Sequence, residues 1–155
     1  MDQVMSTVLV GLDGSMASRI AFREAVREAE WRDATLCVFH VVFVPMVLGK
    51  SLNLTTTEEL ESYGHYIVDS ELSLLADEYD GEFPVTIERC VRAGHMGEEL
   101  LRASNDPDRA VELVVLGARG LGGFSSLMLG SLTTYAVHHL VRPLLVVPVL
   151  ETEAE

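Results

Sequence analysis

With 155 residues, 48% of them apolar, the chain has material for one domain with its own core but not for two, and its composition excludes intrinsic disorder. Twenty-four acidic residues against 11 basic ones give a formal net charge of −13, a field that repels nucleic acid, and Lys50 is the single lysine, so no basic patch offsets it. No apolar run is long enough to span a bilayer, Met1-Asp2-Gln3 opens without a secretory pattern, and Cys37 and Cys90 read as buried thiols of a reducing compartment; the expectation is a cytoplasmic protein that engages neither nucleic acid nor membrane.

Residues 8–12 (Val-Leu-Val-Gly-Leu) form a run of strand length, apolar throughout and therefore buried on both faces. Ser15 then caps a helix over 16–32, whose Ala17, Ala21, Phe22, Ala25, Val26 and Ala29 recur at helical spacing. Residues 35–44 make a second continuous strand, and Pro45 and Gly49 break the chain into a loop over 45–54. Thr55-x-x-Glu58 and Thr56-x-x-Glu59 both match a capping box, which opens a long helix closing near Gly81. A third strand is expected over 84–91 and a short helix over 96–104, stopped by Asn105-Asp106-Pro107. A fourth strand follows over 111–116, then a loop rich in glycine and serine over 117–130, a helix over 131–141 and a fifth strand over 143–149. The domain is expected over 1–150, with 151–155 as a frayed acidic tail.

Strands alternating with helices predict an α/β fold: a single Rossmann-like, doubly wound sandwich of parallel strands with helices on both faces. Such sheets bind ligands beyond the carboxyl ends of their strands, where strand order reverses.

Two segments fall at those ends. Gly117-Ala118-Arg119-Gly120, then nine residues, then Gly130-Ser131 have the makings of a phosphate cradle. A phosphate needs several main-chain N–H groups converging on it, and side chains would block the approach. Gly117 ends a strand, Gly120 permits a tight turn, and Gly130 and Ser131 open a helix whose free N–H groups and dipole favour an anion. The Ser131 hydroxyl can donate to an oxygen, Leu132 and Thr133 complete the first turn, and Arg119 is the loop's one cation. The bland alternative is a glycine-rich turn with no ligand. The second segment is Gly11-Leu12-Asp13-Gly14-Ser15, where Asp13 can accept from ribose hydroxyls or an adenine amine and Leu12 beside it is a further candidate nucleotide contact. Asp13 and Ser15 can equally serve as an ordinary helix cap, and the two roles are compatible. Val41 and Val42, ending the second strand, suit either an apolar wall beside a base or core packing.

Other chemistry is thin. His138 and His139 adjoin, while His40, His65 and His95 are scattered, without the ordered spacing of a metal site, so no metal ligand is assigned to a protein side chain. There is neither a Gly-x-Ser-x-Gly elbow nor a Walker loop, and any nucleotide turnover should be slow. An anionic nucleotide on an anionic protein predicts that Mg²⁺ or Mn²⁺ assists binding.

The residues 8–15 (Val-Leu-Val-Gly-Leu-Asp-Gly-Ser) resemble the opening strand and turn of universal stress proteins, and 114–120 with Leu129-Gly130-Ser131 resemble that family's nucleotide loop. Leu144-Leu145-Val146-Val147-Pro148 resembles its last strand. The resemblance implies a five-stranded sheet in the order 3-2-1-4-5, binding of ATP or AMP, and a homodimer formed through strand 143–149. It implies that Gly117, Gly120, Gly130 and Ser131 hold ribose and phosphates and that Asp13 and Val41 hold the base side. His139 matches a packing residue of the family, and Arg142 stands where the family often has a small residue or cysteine, which would alter packing at the sheet edge. The implied role is a nucleotide-dependent regulatory module of stress tolerance. The alternative is a weak ATPase or another adenine-nucleotide enzyme of the same superfamily, although the Ser-Gly-Gly-x-Asp-Ser loop of adenylating relatives is absent after the first strand.

Overall fold

Continuous apolar runs become central strands because both faces of a parallel sheet are covered. In the computed structural model, which describes residues 4–43, 56–119 and 129–150, β1 (Thr7–Gly11), β2 (Thr35–Val42), β3 (Ile87–Ala93), β4 (Val111–Gly117) and β5 (Leu144–Val147) form one parallel sheet in the order β3-β2-β1-β4-β5. Between them run α1 (Met16–Arg32), α2 (Thr57–Ala76) with a 3-10 turn over Asp77–Tyr79, α3 (Met96–Ser104) and α4 (Ser131–His139). The doubly wound topology is as expected, and Val8, Leu9 and Val10 of the middle strand are fully buried.

The sheet divides the core in two. On one side Val8, Val10 and Leu12 pack with Phe22 and Val26 of α1 and Val68 and Leu72 of α2. On the other, Leu9, Phe39 and Leu116 pack with Leu100 and Ala103 of α3 and Ala136 of α4. The apolar stripe read for α1 is its buried face. Of the two candidate capping boxes, Thr56 with Glu59 is the one formed, the Thr56 hydroxyl accepting from Glu59 N at 3.2 Å; Thr55 lies outside the described residues. Helix α2 can approach the sheet because Gly64 has no side chain: a Cβ there would lie 2.5 Å from Val91 Cγ1 and 2.8 Å from Val42 Cγ2.

Several boundaries shift. β3 begins at Ile87 instead of residue 84 and runs on to Ala93, since its ladder with β2 spans Leu36↔Ile87 to Val42↔Ala93 and Pro84 has no N–H to give it. α4 ends at His139, before 141, because Leu140 is already extended on the approach to Pro143. Arg142 reaches back to α3, Nε donating to the Ser104 carbonyl at 3.4 Å, and so braces the end of that helix. His139 stacks on Tyr135 with ring centroids 4.2 Å apart.

Candidate functional site

Strands β1 and β4 are neighbours, with Val10 opposite Val115, although the chain enters them from opposite directions of the winding. Their carboxyl ends open into the two segments singled out above, at the point where ligands enter such sheets.

The turn after β1 is fixed locally. Ser15 N donates to Asp13 Oδ1 at 2.9 Å, Asp13 N to Ser18 Oγ at 3.3 Å, and Ser18 N to the Ser15 side chain at 3.1 Å. Ser15 is thus the cap of α1, and Asp13 forms the turn before it, while its second carboxylate oxygen has no partner among the described residues. Leu12 belongs to the core: it is 2% exposed, its N donates to Phe39 O at 3.0 Å, and its carbonyl accepts from His40 Nδ1–H at 2.8 Å. Sequence reasoning left His40 among the scattered histidines. Its buried bond to the residue before Asp13 shows that it holds this turn against β2.

The turn after β4 is drawn together at both ends. Ala118 N donates to Val147 O at 2.9 Å, Gly130 N to Ala118 O at 2.8 Å, and Thr133 Oγ1 to Gly117 O at 2.8 Å. Gly117 must be glycine, because a Cβ would sit 2.8 Å from the Ala17 carbonyl oxygen of α1. Gly120 lies outside the described residues. The expectation that Gly130 offers a free N–H needs correcting, since that amide is spent on Ala118. The amides left without an intrahelical partner are those of Ser131, Leu132 and Thr133, and among the described residues no side chain caps them. Ser131 is exposed, Leu132 packs on the α3/α4 side of the core, and Thr133 is buried with its hydroxyl proton given to Gly117. Three uncapped amides at a helix start, an exposed hydroxyl and the open Asp13 oxygen suit a phosphorylated ligand carrying hydroxyls.

Charge points the same way. Arg19, Arg23, Arg27, Arg32, Arg89, Arg102 and Arg109 each hold a carboxylate. Arg92 and Arg119, both half-buried near carboxyl ends of strands, hold none among the described residues. Val41 and Val42, read together as a wall, face opposite sides: Val41 packs toward α3 and α4, and Val42 lies under Gly64 of α2. Only Val41 is on the side of Leu132. Among the described residues no three His, Cys, Asp or Glu side chains are grouped closely enough to hold a metal ion, and no helix is long and apolar enough to cross a membrane.

One reactive cluster lies away from this end. Cys37 and Cys90, buried on neighbouring strands, hydrogen-bond to one another, and Arg109 NH1 reaches Cys37 Sγ at 3.0 Å. The bond from Cys37, aided by Arg109 and Arg92, lowers the Cys90 thiol to about 6 and correspondingly raises Cys37.

Residues 5–148 match the model of the universal stress protein family. The universal stress protein YxiE of Bacillus subtilis is 30% identical over 152 residues, covering 95% of this chain and 98% of its own. A universal stress protein of Mycolicibacterium smegmatis is 29% identical over 143 residues, 90% of this chain; this chain spans about half of that relative's length, 47%. Among solved structures, a universal stress protein in complex with cAMP superposes with a TM-score of 0.66 at 22% identity, over 94% of this chain and 98% of its own. An Arabidopsis thaliana protein of the family with AMP bound gives 0.61 at 16% identity, over 97% and 96%.

Proposed function

The chain belongs to the universal stress protein family, and we propose that it binds an adenine nucleotide, ATP or AMP, where β1 and β4 end, as a regulatory module whose occupied and empty states differ at the loop after β4. The observation that carries this reading is the first turn of α4, uncapped among the described residues, whose Ser131, Leu132 and Thr133 amides stand ready for a phosphate. In this arrangement Ser131 adds a hydroxyl, Arg119 a cation, Gly117 the close approach of backbone, and Gly120 and Gly130 the shape of the loop. Thr133 braces the loop through Gly117. The open Asp13 oxygen takes the ribose hydroxyls, and Val41 supports the base. The choice of adenine is supported by the cAMP and AMP held by structural neighbours.

Mg²⁺ or Mn²⁺ enters as the nucleotide's own counter-ion, shielding a triphosphate from a protein of charge −13. A homodimer through the strand at 143–149 is part of the proposal: β5 lies at the sheet edge, with Val141 76% exposed beside it. Cytoplasmic residence is supported by two free buried thiols.

The test is to purify the protein without added nucleotide, denature it and identify what is released. ATP or AMP in near-stoichiometric amount is the expected result. Protein that is empty and gives no calorimetric signal with ATP, AMP or cAMP at about 1 mM, the weak end of specific affinity, overturns the reading.

A further inference from the structure

Arg92 is a half-buried cation with no carboxylate partner among the described residues. It stands opposite Val41 in the β2–β3 ladder, one strand beyond the proposed support for the base. Side chains two apart on a strand share a face, so Arg92 lies on the side of Cys90, the side on which Val41 and Leu132 also pack. Its charge acting on the Cys90 thiol agrees with that placement. Among the described residues its one polar contact is Nη1 donating to the carbonyl of the adjoining Val91, at 3.4 Å. The arginines nearby are matched, Arg89 to Asp69 at 2.5 Å and Arg102 to Glu99 at 2.6 Å. In a chain with more than twice as many acidic as basic residues, an unmatched, half-desolvated guanidinium marks a place where something else supplies the partner.

The distance identifies the part of the ligand. Strands lie about 4.8 Å apart, so β3 is about 14 Å from β4, across β1 and β2. A nucleotide anchored by its phosphate at the start of α4 brings its base, not its phosphate, to β2 and β3. A planar guanidinium beside a planar base has one favourable mode open to it that does not depend on charge pairing, which is stacking on the π face.

We propose that Arg92 is a specificity-determining residue of the nucleotide site: its guanidinium folds over the base that rests on Val41, closing it from water and favouring the larger face of a purine over a pyrimidine. The inference rests on the nucleotide reading above and adds the contact on the base.

Calorimetry on the full chain tests it with adenosine, AMP, ATP and CMP against the wild type, Arg92→Gln and Arg92→Lys. Stacking predicts that Arg92→Gln weakens adenosine, AMP and ATP by one common factor, about 3- to 30-fold. It predicts that Arg92→Lys restores little of this, that the preference for AMP over CMP shrinks in both variants, and that the ligand-free melting temperature holds or rises as an unmatched cation is removed. A loss that grows from adenosine to ATP and is rescued by lysine overturns stacking in favour of charge attraction. Equal affinities in wild type and Arg92→Gln overturn any role for Arg92 and leave the nucleotide site standing. A wild type that binds none of the four removes the nucleotide reading and this inference with it.

Discussion

At the scale of single residues the site depends on a carbonyl and a missing side chain. Gly117 gives its carbonyl to Thr133 and its empty Cα position to Ala17 of α1. Two substitutions separate these contributions. Gly117→Val drives a side chain into the Ala17 carbonyl and should cost about 1–3 kcal/mol of stability, as overpacking does, while abolishing nucleotide binding. Thr133→Val keeps the shape but leaves the Gly117 carbonyl without its donor, costing about 1 kcal/mol and weakening binding without abolishing it. Urea unfolding and calorimetry on both variants check the order; if Thr133→Val binds worse than Gly117→Val, the close approach is not what the loop requires. Asp13 shows how sequence reading handles such residues. Its turn-forming role was legible and is the one formed, Ser15 N donating to Oδ1 at 2.9 Å; the proposed ligand role draws on the other carboxylate oxygen.

At the scale of elements, strands were the most legible feature, since a strand buried on both faces spells itself out as a continuous apolar run. β3 was misplaced because Phe83 and Val85 are apolar and pack on the core yet stand before the ladder begins. The glycine loop, proposed as a phosphate cradle, was legible as a strand-to-helix turn in outline only. Spacing marks a helix start after Gly130, but the Ala118 carbonyl that consumes its amide comes from the far end of the loop. Arg92 gave no signal, because its proposed role comes from sitting opposite Val41 and from having no carboxylate partner among the described residues, both matters of tertiary placement.

The β2–β3 pair also carries a pH dependence. Unfolded cysteine titrates near 8.5. The Cys90 thiol, lowered to about 6, contributes stability that is complete above about pH 8.5 and lost as pH falls through about 6. Cys37, raised by the same bond, contributes below about pH 8.5 and loses it as pH climbs. Stability should therefore rise between about pH 6 and about pH 8.5, then fall. Denaturant midpoints across that range check this: Cys90→Ser should remove the rise, and a variant keeping the wild-type slope would show that other groups produce it.

For the whole molecule, charge is the governing quantity. On the proposed reading a chain of −13 meets an anionic ligand, and local amides with Arg119 must offset a repulsion that acts over the Debye length. Salt shortens that length from about 30 Å at 0.01 M to about 8 Å at 0.15 M, weakening the repulsion more than the close contacts. ATP affinity should therefore hold or improve over that range and increase with Mg²⁺ or Mn²⁺. A steep loss of affinity with salt, together with indifference to the metal, would mean that binding is driven by long-range attraction, which this chain's charge does not supply.

All of this turns on three main-chain amides at the start of α4 receiving a phosphate. Amide resonances of Ser131, Leu132 and Thr133, followed by ¹⁵N-edited NMR during titration with AMP and separately with adenosine, measure that contact directly. The account predicts saturable shifts of all three with AMP, in step with the calorimetric affinity, and much smaller ones with adenosine. If AMP binds and these three resonances stay where they were, the phosphate is held elsewhere and the site assigned here is wrong.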